Sequence, residues 1–200
     1  MRIVVTGAFG FIGSHFAKWV FNLDNDIKIL VVDNCTYAAN KSNLNGITYE
    51  HLHKDICDVT AEDLGEYDYL VNFAAESHVD NSIKDGRPFV RTNVEGTFNL
   101  LEVARQNPNL KKFIQISTDE VYGDMDEYGE GVLADESFNL IGSSYYSSTK
   151  ASADLLVQAA GRTYGLPYLI TRTCNNYGEN QHQEKLLPTI INCVRNNLKI

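Results

Sequence analysis

Residues 1–13, MRIVVTGAFGFIG, place a short apolar run directly before three glycines, Gly7, Gly10 and Gly13. The β-branched run predicts a strand over residues 2–6. The glycines, spaced GxxGxxG, then open a predicted helix over residues 11–23, where small residues let backbone N–H groups approach a pyrophosphate. A tight strand-to-helix turn without a ligand is the structural alternative. The stretch therefore predicts the first strand, turn and helix of a dinucleotide-binding fold.

The next apolar run, ILVVD, ends in Asp33, 20 residues after Gly13. A carboxylate at the end of this second strand can accept both hydroxyls of an adenosine ribose, and it repels a 2′-phosphate. We therefore expect NAD, rather than NADP, as the cofactor.

Short β-branched runs alternate with amphipathic stretches along the whole chain. This alternation predicts an α/β fold, a Rossmann-type doubly wound parallel sheet with helices on both faces. The predicted strands cover residues 2–6, 27–33, 49–54, 69–74, 112–117 and 168–173, and the predicted helices cover residues 11–23, 88–106, 146–164 and 185–197. We expect residues 1–175 to form the NAD-binding domain with the catalytic residues, and residues 176–200 to begin a substrate-binding lobe that is truncated.

Composition excludes some classes of function. The 200 residues carry 17 basic and 26 acidic side chains, a formal net charge of −9, which argues against a nucleic-acid or membrane-surface protein. The four cysteines show no CxxC spacing, so the sequence predicts neither a zinc site nor a disulfide framework, and we assign no metal. No apolar run approaches membrane-spanning length. We expect a cytoplasmic protein.

The segment YSSTK places Tyr146 and Lys150 four residues apart, on one face of a predicted helix. A lysine ammonium close to a phenol stabilises the phenolate and lowers the pKa of the tyrosine, which makes it a usable general base. Taken alone, the spacing also fits an ordinary exposed amphipathic helix. Beside a dinucleotide fingerprint, it predicts a catalytic pair.

Several motifs together resemble the extended short-chain dehydrogenase/reductase family. They are the GxxGxxG turn, NFAAESHVD at 72–80, YSSTK at 146–150 and CNNYG at 174–178. Within that family, other segments resemble the nucleoside-diphosphate-glucose 4,6-dehydratases, most of which act on dTDP-glucose: TYAANKSNL at 36–44, STDEVYG at 117–123 and EKLLP at 184–188. The resemblance covers essentially the whole chain.

The resemblance implies roles for five catalytic residues. Tyr146 removes the proton of the sugar 4-hydroxyl while NAD accepts the C4 hydride, and Lys150 holds the nicotinamide ribose. Glu120 then removes the C5 proton, and Asp119 protonates the departing 6-hydroxyl. Thr118 hydrogen-bonds the 4-oxygen. Hydride returns to C6, so that the cofactor ends as it began.

The resemblance also implies two sets of binding residues. The cofactor set comprises Gly7, Gly10, Phe11, Ile12, Gly13, Asp33, Asn34, Cys35, Thr36, Asp55, Ile56, Phe73, Ala74, Ala75, Ser77, Thr92, Tyr146, Lys150 and Asn176. The set for the nucleoside-diphosphate sugar comprises Ser77, Thr118, Asn175, Lys185 and Leu186. The family implies a homodimer through a helix bundle. The sequence departs from the family pattern at two notable places. Phe9 lies in the glycine turn, where its ring must point away from the pyrophosphate. His182 and Gln183 stand in place of an aromatic-proline pair.

Two other functions remain open. A nucleotide-sugar 4-epimerase shares the fold, the cofactor and the Tyr–Lys pair, but it returns hydride to C4 and needs no acid and base at C5 and C6. The acid pair Asp119–Glu120 therefore favours the dehydratase. A non-catalytic NAD-binding fragment is the second alternative, because much of the substrate contact belongs to the absent lobe.

Overall fold

A computed structural model describes residues 1–24, 26–129 and 131–199. Its centre is a sheet of six parallel strands in the order β3-β2-β1-β4-β5-β6. The strands are β1 Arg2–Thr6, β2 Lys28–Asp33, β3 Glu50–His53, β4 Tyr69–Asn72, β5 Lys112–Thr118 and β6 Tyr168–Thr173. The predicted parallel α/β fold is confirmed, and each of the six predicted strands is present.

Helices connect the strands and cover both faces of the sheet. They are α1 Phe11–Leu23, α2 Ala61–Leu64, α3 Val79–Lys84, α4 Arg87–Phe89, α5 Thr97–Arg105, α6 Tyr145–Tyr164 and α7 Leu186–Arg195. A π-helical segment, Val90–Gly96, joins α4 to α5 in one continuous helix, and short 3₁₀ turns occupy Lys41–Leu44, Asp119–Tyr122 and Met125–Tyr128. Within the described residues, no helix is both long and apolar enough to cross a membrane.

The sheet buries apolar side chains on both faces because successive residues of a strand point in opposite directions. Val4 packs in the cluster under α5 and α6, whereas its neighbours Ile3 and Val5 pack in the cluster that includes Ala17 of α1. Every strand of this kind must therefore be apolar on both sides. That requirement explains why the inner strands β1 and β2 appear in the sequence as continuous apolar runs.

The topological switch point of the sheet lies between β1 and β4, where the strand order changes direction. Behind it, Thr6 donates to the Asn72 side chain (2.6 Å), and the Asn72 amide donates to Gln115 (2.9 Å). These three buried side chains link β1, β4 and β5. Because each finds a partner, the network fixes the register of the strands at the carboxyl edge, where folds of this class bind ligands.

Some predicted boundaries were wrong. The helix predicted over residues 88–106 is present as the continuous helix of residues 87–105, but its π-helical segment was not predicted, and neither were α2 and α3. The predicted strand 69–74 ends at Asn72, because the chain there turns towards Gly7. Residue 200, the last of the predicted second domain, lies outside the described residues.

Candidate active site

The glycine turn brings two strands and a helix into close contact. Gly7 has a φ of +64°, and a Cβ there would lie 2.7 Å from the backbone nitrogen of Ala74, so only glycine fits. A Cβ on Gly13 would lie 2.5 Å from the carbonyl oxygen of Gly7. Helix α1 begins after Gly10 with no side-chain cap and no acidic residue in its first turn. Its first N–H groups are therefore available to an anion.

The ring of Phe9 points away from this anion site. It is fully buried and packs edge-on against Tyr49 and His51, with ring centroids 5.8 and 4.8 Å apart. Lys41 lies 5.7 Å from its ring centroid. The predicted orientation of the bulky residue in the glycine turn is confirmed.

Asp33 ends β2 and is held by two backbone amides. The N–H of Phe9 donates to Oδ2 (3.0 Å), and the N–H of Cys35 donates to Oδ1 (2.8 Å). Cys35 adopts a φ of +53°, which turns the chain around the carboxylate. A carboxylate oxygen has a second lone pair, so that each can still accept one hydroxyl. The glycine turn and the acidic residue are therefore joined into one rigid unit.

A single cleft, which we call the central cleft, runs across the carboxyl edge of the sheet. It brings together most of the predicted site residues: Gly7, Gly10, Phe11, Ile12, Gly13, Asp33, Asn34, Thr36, Asp55, Ile56, Phe73, Ala74, Ala75, Ser77, Thr92, Thr118, Glu120, Tyr146, Lys150, Asn175, Asn176 and Lys185. Cys35, Asp119 and Leu186 do not line it. Cys35 lies behind Asp33, Leu186 is exposed at the start of α7, and Asp119 lines a neighbouring groove that it shares with Glu120.

The acid pair is presented by a short turn at the end of β5. The Thr118 hydroxyl accepts the N–H of Glu120 (3.2 Å) and donates to Asp119 (3.2 Å). Burial raises the pKa of Glu120, the charge of Asp119 raises it further, and Lys185 opposes this. Glu120 is thus poised to accept a proton at a higher pH than an ordinary glutamate can.

Tyr146 lies in the first turn of α6, which begins at a capping box formed by Ser144 and Ser147. Burial raises the pKa of Tyr146 to about 12, and the charges of Glu120 and Asp119 add to the rise, while Thr118 lowers it. Lys150 is not among the groups that shift this pKa. The lowering expected from Lys150 is therefore not seen in the protein alone, where burial and two nearby carboxylates determine the pKa.

Lys150 is almost fully buried and donates a hydrogen bond from Nζ to the carbonyl oxygen of Ile116 (2.6 Å). Burial lowers its pKa to about 8, although the charge of Asp154 opposes the shift. Lys150 therefore lines the central cleft with its ammonium fixed against β5, and its burial there costs the ammonium its hydration.

Two asparagines near the cleft, Asn93 and Asn176, form hydrogen bonds within the protein. The Asn93 side chain accepts the N–H of Glu76 (2.9 Å) and donates to its carbonyl (3.0 Å) and to Thr149 (3.0 Å). Asn93 therefore fixes the segment after β4 against α6. Asn176 donates to Thr173 (3.1 Å) and to the carbonyl of Cys174 (3.0 Å).

The sequence did not predict a cluster at the mouth of the cleft. Glu184 accepts a hydrogen bond from the Tyr37 hydroxyl (3.2 Å) and lies 3.5 Å from His182 and 3.8 Å from His78. Glu76, which also lines the cleft, has a pKa raised by burial and by Glu184. These residues come from three separate loops, and no spacing in the sequence marks them as neighbours.

The fold and the site together define the class of protein to which the chain belongs. A parallel sheet with a glycine turn, an acidic residue ending β2, and a Tyr–Lys pair on the helix before β6 is the arrangement of a dinucleotide-dependent short-chain dehydrogenase. Comparison with known proteins agrees with this class. The chain belongs to the NAD dependent epimerase/dehydratase family, whose pattern matches residues 3–200.

Relatives within the family include two curated proteins. The chain is 46% identical over 198 residues to the low-salt glycan biosynthesis protein Agl12 of Haloferax volcanii, covering 96% of this chain and 62% of that protein. It is 44% identical over 207 residues to the dTDP-glucose 4,6-dehydratase of Haemophilus influenzae, covering 96% of this chain and 60% of the relative. The chain thus spans about three fifths of the length of these relatives.

Solved structures show the same fold. DesIV, the dTDP-glucose 4,6-dehydratase of Streptomyces venezuelae solved with NAD and TYD bound, superposes with a TM-score of 0.89 at 40% identity, over 98% of this chain and 63% of that one. The UDP-glucuronic acid 4-epimerase of Bacillus cereus, solved with NAD, superposes with a TM-score of 0.88 at 26% identity, over 99% of this chain and 64% of that one. The dehydratase shares more of the sequence, although the folds agree equally well.

Proposed function

We propose that the protein is an NAD-dependent nucleotide-sugar 4,6-dehydratase, a lyase that converts dTDP- or UDP-glucose to the 4-keto-6-deoxy sugar nucleotide. One observation carries the proposal. Thr118, Glu120 and Tyr146 line one cleft, and Asp119 directly precedes Glu120 on the same turn. An epimerase has no step that uses this acid pair. The dehydratase relatives at 40% identity and above support the same choice.

NAD fits the residues of the central cleft. The uncapped start of α1 would hold the pyrophosphate, Asp33 the adenosine ribose and Lys150 the nicotinamide ribose. When bound, the cofactor supplies a hydride acceptor and a positive ring charge beside Tyr146. That charge acts against the two carboxylates that raise the pKa of Tyr146 in the protein alone.

The side chains would divide the proton transfers between them. Tyr146 removes the proton of the 4-hydroxyl as C4 is oxidised, and the resulting ketone makes the C5 proton acidic. Glu120, with its raised pKa, removes that proton. Asp119 gives a proton to the 6-hydroxyl, which leaves as water, and Thr118 holds the 4-oxygen. C6 then regains the hydride that was taken from C4, and C5 regains a proton, which gives the 4-keto-6-deoxy sugar. Ser77, Asn175, Lys185 and Leu186 would contact the sugar nucleotide.

The first experiment tests the reaction. The protein in its natural full length is incubated with dTDP-glucose and, separately, with UDP-glucose, and the alkaline absorbance of a 4-keto-6-deoxy sugar is measured. We expect product from at least one substrate. Formation of the C4 epimer with no keto sugar would establish the epimerase instead, and retention of NAD with neither product would establish a non-catalytic binding protein.

The second experiment tests the acid pair. Glu120→Gln should retain oxidation at C4, visible as bound NADH, and should lose elimination by at least a hundredfold because the C5 base is gone. Glu127→Gln, an exposed glutamate on the next 3₁₀ turn, is the matched control and should behave like the wild type. Undiminished keto sugar formation by Glu120→Gln would show that another residue removes the C5 proton.

Three further features are part of the proposal. A homodimer would pair the continuous helix of residues 87–105 and helix α6 with their copies, supported by the exposed apolar side chains Val90, Phe98 and Leu155. Residues 1–175 would form the nucleotide-binding domain, and residues 176–200 would begin the substrate lobe. The free cysteines fit a reducing compartment, the cytoplasm. Light scattering of the full-length protein tests the dimer, and cell fractionation tests the location.

A further inference from the structure

Arg172 on β6 lines the same neighbouring groove as Asp119 and Glu120, and it joins two parts of the candidate active site. Its Nε donates to Oδ2 of Asp154 (2.8 Å), and its Nη1 donates to the phenolic oxygen of Tyr122 (2.8 Å). The guanidinium also lies 5.1 Å from the centroid of the Tyr122 ring. The Asp154 side chain is fully buried and that of Arg172 is only 10% exposed. The three side chains form a bridge with Arg172 at its centre, which we call the Arg172 bridge.

Each end of the bridge lies on a segment that carries catalytic residues. Asp154 lies on α6, one turn after Lys150 and two turns after Tyr146, so that the three share one face of the helix. Tyr122 ends the 3₁₀ turn that begins with Asp119 and Glu120. The bridge therefore connects the helix of the oxidation step to the turn of the elimination step.

The energetics of such a bridge favour a positioning role over a purely stabilising one. Two charged side chains that are almost fully buried lose hydration, and their attraction often does no more than offset that loss. Well-packed apolar side chains would stabilise the same site equally well. What the ion pair adds is geometry, because the planar guanidinium fixes the directions of both of its hydrogen bonds.

We propose that Arg172 is a positioning residue that sets the acid–base turn of Asp119 and Glu120 against Tyr146, through Tyr122 on one side and Asp154 on the other. This inference rests on the proposed dehydratase function. Oxidation at C4 depends on Tyr146 and Lys150, which α6 holds without the bridge. Elimination depends on the position of Glu120 relative to the same sugar, and the bridge fixes the position of Glu120.

The decisive variant is Tyr122→Phe, which keeps the ring and removes only the acceptor for Nη1 of Arg172. In the full-length enzyme, a single turnover should show oxidation at C4 within twofold of the wild type. Elimination should slow about tenfold, so that bound NADH accumulates at 340 nm, and KM should not change. Tyr128→Phe, on the neighbouring 3₁₀ turn and exposed, is the matched control and should match the wild type.

A second measurement needs no substrate. Hydrogen exchange of the amides in residues 119–122 should accelerate at least tenfold in Tyr122→Phe and in Arg172→Met, whereas exchange in residues 125–128 should stay unchanged. Unaltered exchange in residues 119–122, or equal slowing of oxidation and elimination, would overturn the positioning role. A wild type that forms no keto sugar would refute the proposed function, and the exchange measurement would still decide whether the bridge holds the turn.

Discussion

Replacement of Lys150 by methionine should make the cofactor-free protein more stable, although it removes a proposed catalytic residue. Burial lowers the pKa of this lysine from 10.5 to about 8. This lowering of the pKa corresponds to about 3 kcal/mol of unfavourable free energy below pH 8. Loss of the hydrogen bond to Ile116 offsets part of the gain, since hydrogen bonds to charged groups contribute about 1.5–3 kcal/mol. We expect a net gain of about 1 kcal/mol at pH 7.

The pH dependence separates this explanation from better packing. Below pH 8, Lys150 is protonated in both the folded and the unfolded states, so burial of the charged lysine destabilises the folded wild type by the full amount. As the pH rises through 8 towards 10.5, the folded protein releases the proton while the unfolded chain keeps it, and the wild type gains stability. The advantage of Lys150→Met should therefore shrink by about 1 kcal/mol between pH 7 and pH 9.

Urea denaturation, followed by circular dichroism at pH 6.5, 7, 8 and 9, measures this difference. Lys28→Met is the matched control, because Lys28 is exposed at the start of β2 and its replacement should have an effect that does not vary with pH. A Lys150→Met protein that is less stable at pH 7, or whose advantage is the same at pH 7 and pH 9, would refute the reasoning.

Three other predictions concern the nucleotide end of the cleft. Gly7→Ala should destabilise the protein by about 2 kcal/mol or more, because the new Cβ would overlap the backbone of Ala74. Gly46→Ala is the control: Gly46 also has a positive φ, but it lies in open space, so its replacement should cost less stability. Thermal melting of the two variants compares these costs. Phe9→Ala should cost about 3–5 kcal/mol in urea denaturation because its buried ring leaves a cavity. Asp33→Ser should bring the affinity for NADP close to that for NAD in a binding titration, and an unchanged preference for NAD would contradict the role of the carboxylate.

The sequence predicted the inner strands β1 and β2 well because a parallel strand that is buried on both faces must be a continuous apolar run. Strand ends were located to within two residues. The short helices α2 and α3, of four and six residues, were missed since neither is long enough to show a period of 3.6 residues. The glycine turn and Asp33 were predictable because both follow strands whose carboxyl ends meet.

Other features of the site depend on packing that no motif records. Glu184 meets Tyr37 and His78 only because three loops converge at the mouth of the cleft. The pKa of Tyr146 could not be inferred from the YxxxK spacing, since burial and Glu120 determine it in the protein alone. The spacing of side chains predicts which groups are neighbours, but it says nothing of how much water they have lost.

The π-helical segment Val90–Gly96 has an evolutionary consequence. A π-helix accommodates one more residue in its turn than an α-helix, and such segments are typically kept at functional sites. Here it carries Thr92, which lines the cleft, and Asn93, which binds the segment after β4. Because each residue of an α-helix rotates the chain by about 100°, deletion of a single residue would turn one side of the helix away from its present partners. Lineages that carry this segment should therefore tolerate substitutions along it far more readily than a change in its length.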